Sequence, residues 1–175
     1  MGEPNIENDA KLFCAVTYAI DSIELSVVQR LVQNFGEIDF QSEMFDFKFT
    51  DYYTPEMGRG LKKQFYSFAK LIRPEHLNSI KLTTNHIESD YLQEDSRQVN
   101  IDPGYLTPAK VVLATTKNFS HRIYLGKGIY GDLHLRYMDG RYQPLDWTYA
   151  DYKVELTQNF LMDIRKILLR DLKNR

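Results

Sequence analysis

Residues 11–18, KLFCAVTY, form one continuous β-favouring run, and no other feature restricts the fold as much. A strand with one wet face alternates apolar and polar residues. A run this continuous belongs to a central strand covered on both faces. The covering layers must come from a 175-residue chain, which is the length of one ordinary domain. Twelve Tyr and ten Phe supply the large apolar surface such a core needs, and 43% hydrophobic against 26% charged residues is a globular balance.

The rest of the chain supplies the layers. Asp21-Ser22-Ile23-Glu24 reads as a capping box, and the helix after it puts Val28, Leu31, Val32 and Phe35 on one face before Gly36 ends it. Residues 38–50 read as a long strand whose alternation puts Phe45, Phe47 and Phe49 on the buried side. A loop punctuated by Pro55, Gly58 and Gly60 leads to a returning strand over 61–71. Pro74 opens a second helix with Leu77, Ile80, Thr84 and Ile87 at helical spacing. After a polar loop, 99–101 is a short strand. Asp102-Pro103-Gly104 reads as a type II turn with Gly104 at positive φ, and Thr107-Pro108 as the cap of a third helix. Residues 121–125, 129–138 and 141–145 read as a three-strand meander with a hairpin turn at Asp139-Gly140. From Thr148 a final helix carries the stripe Phe160, Ile164, Ile167 and Leu168.

The opening order β-α-β-β-α-β predicts an α+β fold: a split βαβ-type twisted sheet, extended by the C-terminal meander, with helices mainly on one face and a long C-terminal helix. Residues 1–10 read as a flexible tail, and 11–175 as a single α+β domain.

Composition removes several functions. A net charge of −2 and a pI near 6.1 lack the basic surplus of a general nucleic-acid binder. The one cysteine, Cys14, makes no internal disulfide and no CxxC zinc pair, and fits a cytoplasmic protein. No apolar run reaches the ~18 residues of a membrane span. Residues 126–131, GKGIYG, match a dinucleotide fingerprint, but an alternating strand pattern follows where that motif needs a helix, so they read as a β-turn. His76, His86, His121 and His134 all lack the H-x-[ST] setting of a two-histidine phosphoesterase.

Site-type residues concentrate in 98–125. With Lys110 and Lys117 on a helix they would share a face, Lys110 beside the Asn100, Asp102 and Tyr105 turn and Lys117 out at the helix end. Arg122 beside Tyr124 suits either bidentate capture of a phosphate or carboxylate or an ion pair within the sheet. His121 and Arg122, as neighbours on a strand, would face opposite ways and not act together. The aromatic, acidic loop with Asp51, Tyr52 and Tyr53 has pocket-lining character. Asp51, Glu56 and Asp102 are hard oxygen donors of the kind Mg²⁺ takes, but no spacing joins them, and no metal is assigned.

Together these residues predict a site for a small anionic ligand such as a nucleotide or phosphorylated metabolite, with no reaction and no cofactor named. The alternative is a non-catalytic interaction module that self-associates through aromatic surface, and a homo-oligomer is left open.

Four phrases add a resemblance. FTDYYTPEMG (49–58), VNIDPGYLTPAKVVLATTK (99–117), HRIYLGKGIYG (121–131) and QPLDWTYADY (143–152) resemble the bacterial and archaeal domain of unknown function 4416 family. The likeness runs from Lys11 to the last helix. It implies no established activity, so it assigns no residue a role.

Overall fold

A computed structural model describes residue 3 and residues 9–19 and 23–174. The first strand, β1 (Ala10–Tyr18), is buried along its whole length, as its continuous run requires. Then come α1 (Glu24–Phe35), β2 (Ile38–Gln41), β3 (Phe45–Asp46), the short α2 (Thr54–Met57) and β4 (Lys62–Ile72). They are followed by α3 (Leu77–Ser89), the two-residue strands β5 (Leu92–Gln93) and β6 (Ser96–Arg97), β7 (Val99–Leu106) and β8 (Lys110–Thr115). The chain closes with β9 (Arg122–Gly126), β10 (Ile129–Met138), β11 (Arg141–Pro144) and α4 (Glu155–Lys173).

Strand order is β11-β10-β8-β7-β1-β4-β2, antiparallel throughout, with β3 on β4 and β9 on β10. Inside it, β7-β1-β4-β2 with α1 and α3 as crossovers is the predicted split βαβ unit. The meander β9-β10-β11 is present and joins the sheet through β10 and β8. Side chains alternate across β1 with the strand period of two. Leu12, Cys14 and Val16 meet α1 and α3 on one face. Phe13 and Ala15 meet α4, through Phe160 and Ile164, on the other.

Several boundaries differ from the sequence reading. The capping box lies partly outside the described residues, as does the N-terminal tail, whose last residue, Ala10, already belongs to β1. The strand expected over 38–50 breaks into β2, β3 and irregular chain, because Ser42 turns inward to accept the Phe65 N–H. Phe47 is buried as expected, in a cluster with Met57 and Leu61, whereas Phe49 keeps 37% of its surface exposed.

The larger corrections concern 102–115. Asp102-Pro103-Gly104 is not a turn but the middle of β7, and Gly104 is not among the glycines at positive φ. Its lack of a side chain still matters, since a Cβ there would lie 2.7 Å from the Leu113 and Phe13 side chains and 2.8 Å from the Val112 carbonyl. The expected third helix is β8. Thr107-Pro108 forms the hairpin into it, with the Thr107 N–H bonded to the Lys110 carbonyl at 2.9 Å and the Lys110 N–H to Thr107 Oγ1 at 3.2 Å. The run KVVLAT is short enough to suit helix or strand, and its β-branched residues decide for strand.

Candidate functional site

The cleft begins as a defect in the sheet. β1 pairs with β7 along its length, from Val99 to Leu106. β8 pairs with β7 only from Gly104 to Leu106, opposite Leu113 to Val111. Beyond Gly104 the two strands part, and the edge of β7 faces a gap instead of a neighbour.

Unpaired strand edges need partners when buried. Two side chains of α3 supply them. Glu88 Oε1 accepts the Ile101 N–H at 2.6 Å, and Lys81 Nζ donates to the Ile101 carbonyl at 2.8 Å. The two stand seven residues apart, on one face of the helix. The next residue directed this way is Pro103, which has no N–H to satisfy, and this explains a proline inside a strand. Burial pushes the Glu88 carboxyl above the ordinary range, against the pull of Lys81.

On the α4 face, parity brings Asn100 and Asp102 up from β7. Their cross-strand partners on β1 are Thr17 and Ala15, and Lys63 of β4 lies opposite Thr17. Asn100 Oδ1 accepts from Arg97 Nη1 at 2.9 Å, which turns its Nδ2 toward Asp102 Oδ2 at 2.8 Å. Arg97 is itself held by both Glu56 oxygens, at 2.6 and 2.7 Å. Burial pushes the Asp102 carboxyl up, but the charges of Lys81 and Lys63 and the Asn100 bond outweigh it, and the group is held below the ordinary carboxylate range. Lys63 pairs with Asp151 at 2.6 Å, both almost fully buried.

The far wall comes from the meander. Asp132 of β10 takes Arg122 Nε at 3.0 Å and lies 3.4 Å from His121 Nε2 on the same oxygen. Its other oxygen faces His134 Nδ1 at 3.3 Å. His134 Nε2 accepts the Tyr149 N–H at 3.0 Å, which places the ring proton on Nδ1, toward Asp132. Burial pushes the Asp132 carboxyl up, but the contacts from His134 and Arg122 hold it below its ordinary range. The expectation that His121 and Arg122 act apart is therefore corrected. His121 precedes β9, so strand parity does not apply to it, and both reach Asp132.

Two adjoining cavities of about 310 and 400 Å³ occupy this region. Tyr52, Tyr53, Asp102, Lys117 and Tyr149 line both. Lys81 and Asn100 reach the first, and Lys63 and Arg122 the second.

Of the residues singled out from sequence, the fold brings Tyr52, Tyr53, Asn100, Asp102 and Arg122 to these walls. Asp51 is exposed outside them, its carbonyl bonded to the Thr54 N–H. Tyr105 packs with Leu77 and Val112 on the α3 face, because without a turn at 102–104 it takes the opposite parity from Asp102. Lys110 begins β8 beside Arg136, at the opposite end of that strand from the gap; five extended steps put it about 17 Å from Thr115, where β8 ends. Of the three oxygen donors weighed for Mg²⁺, Asp51 is exposed, Glu56 is held by Arg97 and Asp102 by Asn100 and Lys81.

Sequence reasoning set Lys117 aside and did not reach Lys63, Lys81, Asp132, Asp151 or Tyr149. One signal for Lys81 and Glu88 was present: both fall on the face of α3 that carries Leu77 and Thr84.

Fold and cleft thus define an α+β protein built on a split βαβ sheet with a charged opening between two of its strands. The chain matches the family described as Domain of unknown function (DUF4416) over residues 8–168, and it belongs to that family. No curated protein and no solved structure matches it. Among the described residues no helix is long and apolar enough to cross a membrane.

Proposed function

We propose that this protein binds a small anionic ligand, a nucleotide or phosphorylated metabolite, in the cleft between β7 and β8. One observation carries the reading. Five cationic side chains line the two cavities, and four are spent on carboxylates: Lys63 on Asp151, Lys81 on Asp102, Arg97 on Glu56 and Arg122 on Asp132. The fifth, Lys117, has no carboxylate partner among the described residues. Its Nζ lies 4.0 Å from the centre of the Tyr52 ring and bonds the Tyr52 hydroxyl. A lone cation at the mouth of a polar cavity attracts an anion, and the rings of Tyr52 and Tyr149 give it aromatic walls.

The network behind it supports the same reading. Buried ion pairs gain a fold little over apolar residues of equal volume. A gap lined with them, where Leu or Phe would close the sheet, fits a retained polar site. The reading assigns no reaction. It takes the chain as a cytoplasmic domain, consistent with a single cysteine that is buried in β1, its thiol pushed up by burial.

The test is a thermal-shift screen against nucleotides, sugar phosphates and divalent metals, followed by titration calorimetry. A ligand at a hundredfold its Kd adds about 2.7 kcal/mol of stability. Lys117→Ala should lose that gain and Lys110→Ala should keep it. A screen in which no anion stabilises the protein removes the proposal.

The rival reading, self-association, has an observation of its own. β9 is an edge strand whose Ile123 and Tyr124 are 72% and 60% exposed. Such an edge is a template for a further strand. Light scattering that gives a dimer, reduced to monomer by Ile123→Lys, would favour it.

A further inference from the structure

An anion site has no need of a carboxylate, yet Asp102 stands at the joint of the two cavities and lines both. It is placed with care. Glu56 fixes Arg97, Arg97 fixes the Asn100 amide, and Asn100 fixes Asp102 Oδ2. A chain of bonds of this kind holds an acceptor rigidly in one orientation. The carboxylate is also not used up. It has about four acceptor positions, and it takes one bond of 2.8 Å from Asn100 and one long contact of 3.4 Å from Lys81. Its side chain keeps 26% of its surface open. An oriented carboxylate with acceptor positions to spare selects for hydrogen-bond donors and offers a phosphate none. The anionic part of the ligand must therefore lie away from it, at Lys117, with the donor part inward.

Resting on the anion-site reading, we propose that the ligand is a guanine nucleoside monophosphate, its phosphate at Lys117 and the donor edge of its base on Asp102. A guanine edge offers two neighbouring N–H donors, which match the two oxygens of one carboxylate as a guanidinium does. Adenine sets a ring-nitrogen acceptor beside its amino group, and that acceptor would face the carboxylate lone pairs. Tyr52 and Tyr149, which line both cavities, provide faces on which the base can stack. Cavities of about 310 and 400 Å³ are in the size range of small-molecule sites.

The test is titration calorimetry of the wild type with inorganic phosphate, AMP and GMP, repeated on Asp102→Asn. GMP should bind at least about tenfold more tightly than AMP, the size of one charged hydrogen bond. Asp102→Asn should abolish that preference. Equal affinity for GMP and AMP in the wild type overturns the role of Asp102 while leaving the anion site standing, and this comparison needs no variant to fold. A GMP preference that survives Asp102→Asn overturns it as well. No binding of phosphate, AMP or GMP overturns both this inference and the reading beneath it.

Discussion

One face of the sheet ends in two different ways. Toward α4, the side chains on β1, β4 and β7 are Phe13, Phe65 and Leu106, closed over by Phe160 and Ile164. One to three rungs further, on the same strands and the same face, they are Thr17, Lys63, Asn100 and Asp102. Among the described residues α4 does not line this second end. The Tyr52–Tyr53 loop and the Tyr149–Asp151 segment arch over it and leave cavities beneath. β1 keeps one antiparallel register with β7 from Lys11 to Tyr18, so the pairing of these two central strands does not cause the difference. Side-chain chemistry does. The apolar end closes because burying those rings is favourable without directional partners. The charged end can be buried only where every charge has a partner, and its geometry follows from that pairing.

The largest expected effect tests the apolar end. Phe160 meets Phe65, Phe40 and Phe13 with ring centres 5.3, 5.9 and 6.3 Å apart. Phe160→Ala should cost about 3–5 kcal/mol, as buried Phe truncations do, measured by urea denaturation. A loss below about 1 kcal/mol would mean that α4 does not seal this face. The cleft should keep its ligand affinity as long as the variant is folded.

At the charged end the informative experiment is a pair of variants. Lys63→Ala strands the Asp151 carboxylate, which is nearly fully buried, and should cost about 3 kcal/mol. Lys63→Met with Asp151→Leu removes both charges and should recover most of that loss. If the double variant is as unstable as the single one, the pair contributes more than mutual neutralisation, and the view that these charges serve the site and not the fold is wrong.

Gly104 sits where the two ends meet, at the last rung before β7 and β8 part. Gly104→Ala should cost about 1–3 kcal/mol by overpacking. The cause is crowding by Leu113, Phe13 and the Val112 carbonyl and not backbone strain. Gly104→Ala combined with Leu113→Ala should therefore cost less than the sum of the two. Simple additivity would mean that the methyl group finds room elsewhere.

The same contrast explains what the sequence revealed. The apolar end was legible, because hydrophobic periodicity reports burial: β1, β4, α1, α3 and the meander stand close to where their patterns put them, whereas α4, expected from Thr148, begins only at Glu155 and leaves Tyr149 and Asp151 to the cleft. The charged end was legible in its residue types but not in its geometry. Asp102-Pro103-Gly104 has the composition of a turn. It is a strand only because β1 pairs with it on one side while α3 serves its other edge. Neither partner is near it in sequence. The error at 102–104 then displaced Tyr105 by parity and Lys110 by a whole strand length. Asn100 survived because it precedes the misread turn, Asp102 because it opens it, and Tyr52 and Tyr53 because a loop was read correctly as a loop.

Acid separates the ends without any mutation. Asp102 is held below the ordinary carboxylate pKa, so its ionised form contributes stability above about pH 4, and that contribution is lost as pH falls through the folded value. Glu88 is shifted the other way. Its folded pKa is raised, so its contribution is present at low pH and lost as pH rises through that value. The rings and aliphatic side chains of the apolar cluster do not titrate. Hydrogen exchange below pH 4 should therefore open 99–102 and 114–117 before it opens 13–15. Simultaneous opening would mean that the two ends form one cooperative unit.

The smallest expected effect on stability belongs to Lys117. It is exposed, lies beyond the end of β8, and its ammonium group meets the Tyr52 ring and hydroxyl. An exposed cation on an aromatic face is worth about 0.5–1 kcal/mol at most. Lys117→Ala should shift the denaturation midpoint by no more than that, and Lys110→Ala by less than about 0.5 kcal/mol. The two lysines should part in binding, where only the loss of Lys117 matters. A Lys117→Ala variant destabilised as strongly as Lys63→Ala would show that this cation, too, is consumed by the fold. The charged end would then be a fully paired structural network, and the reason to expect an anion there would be gone.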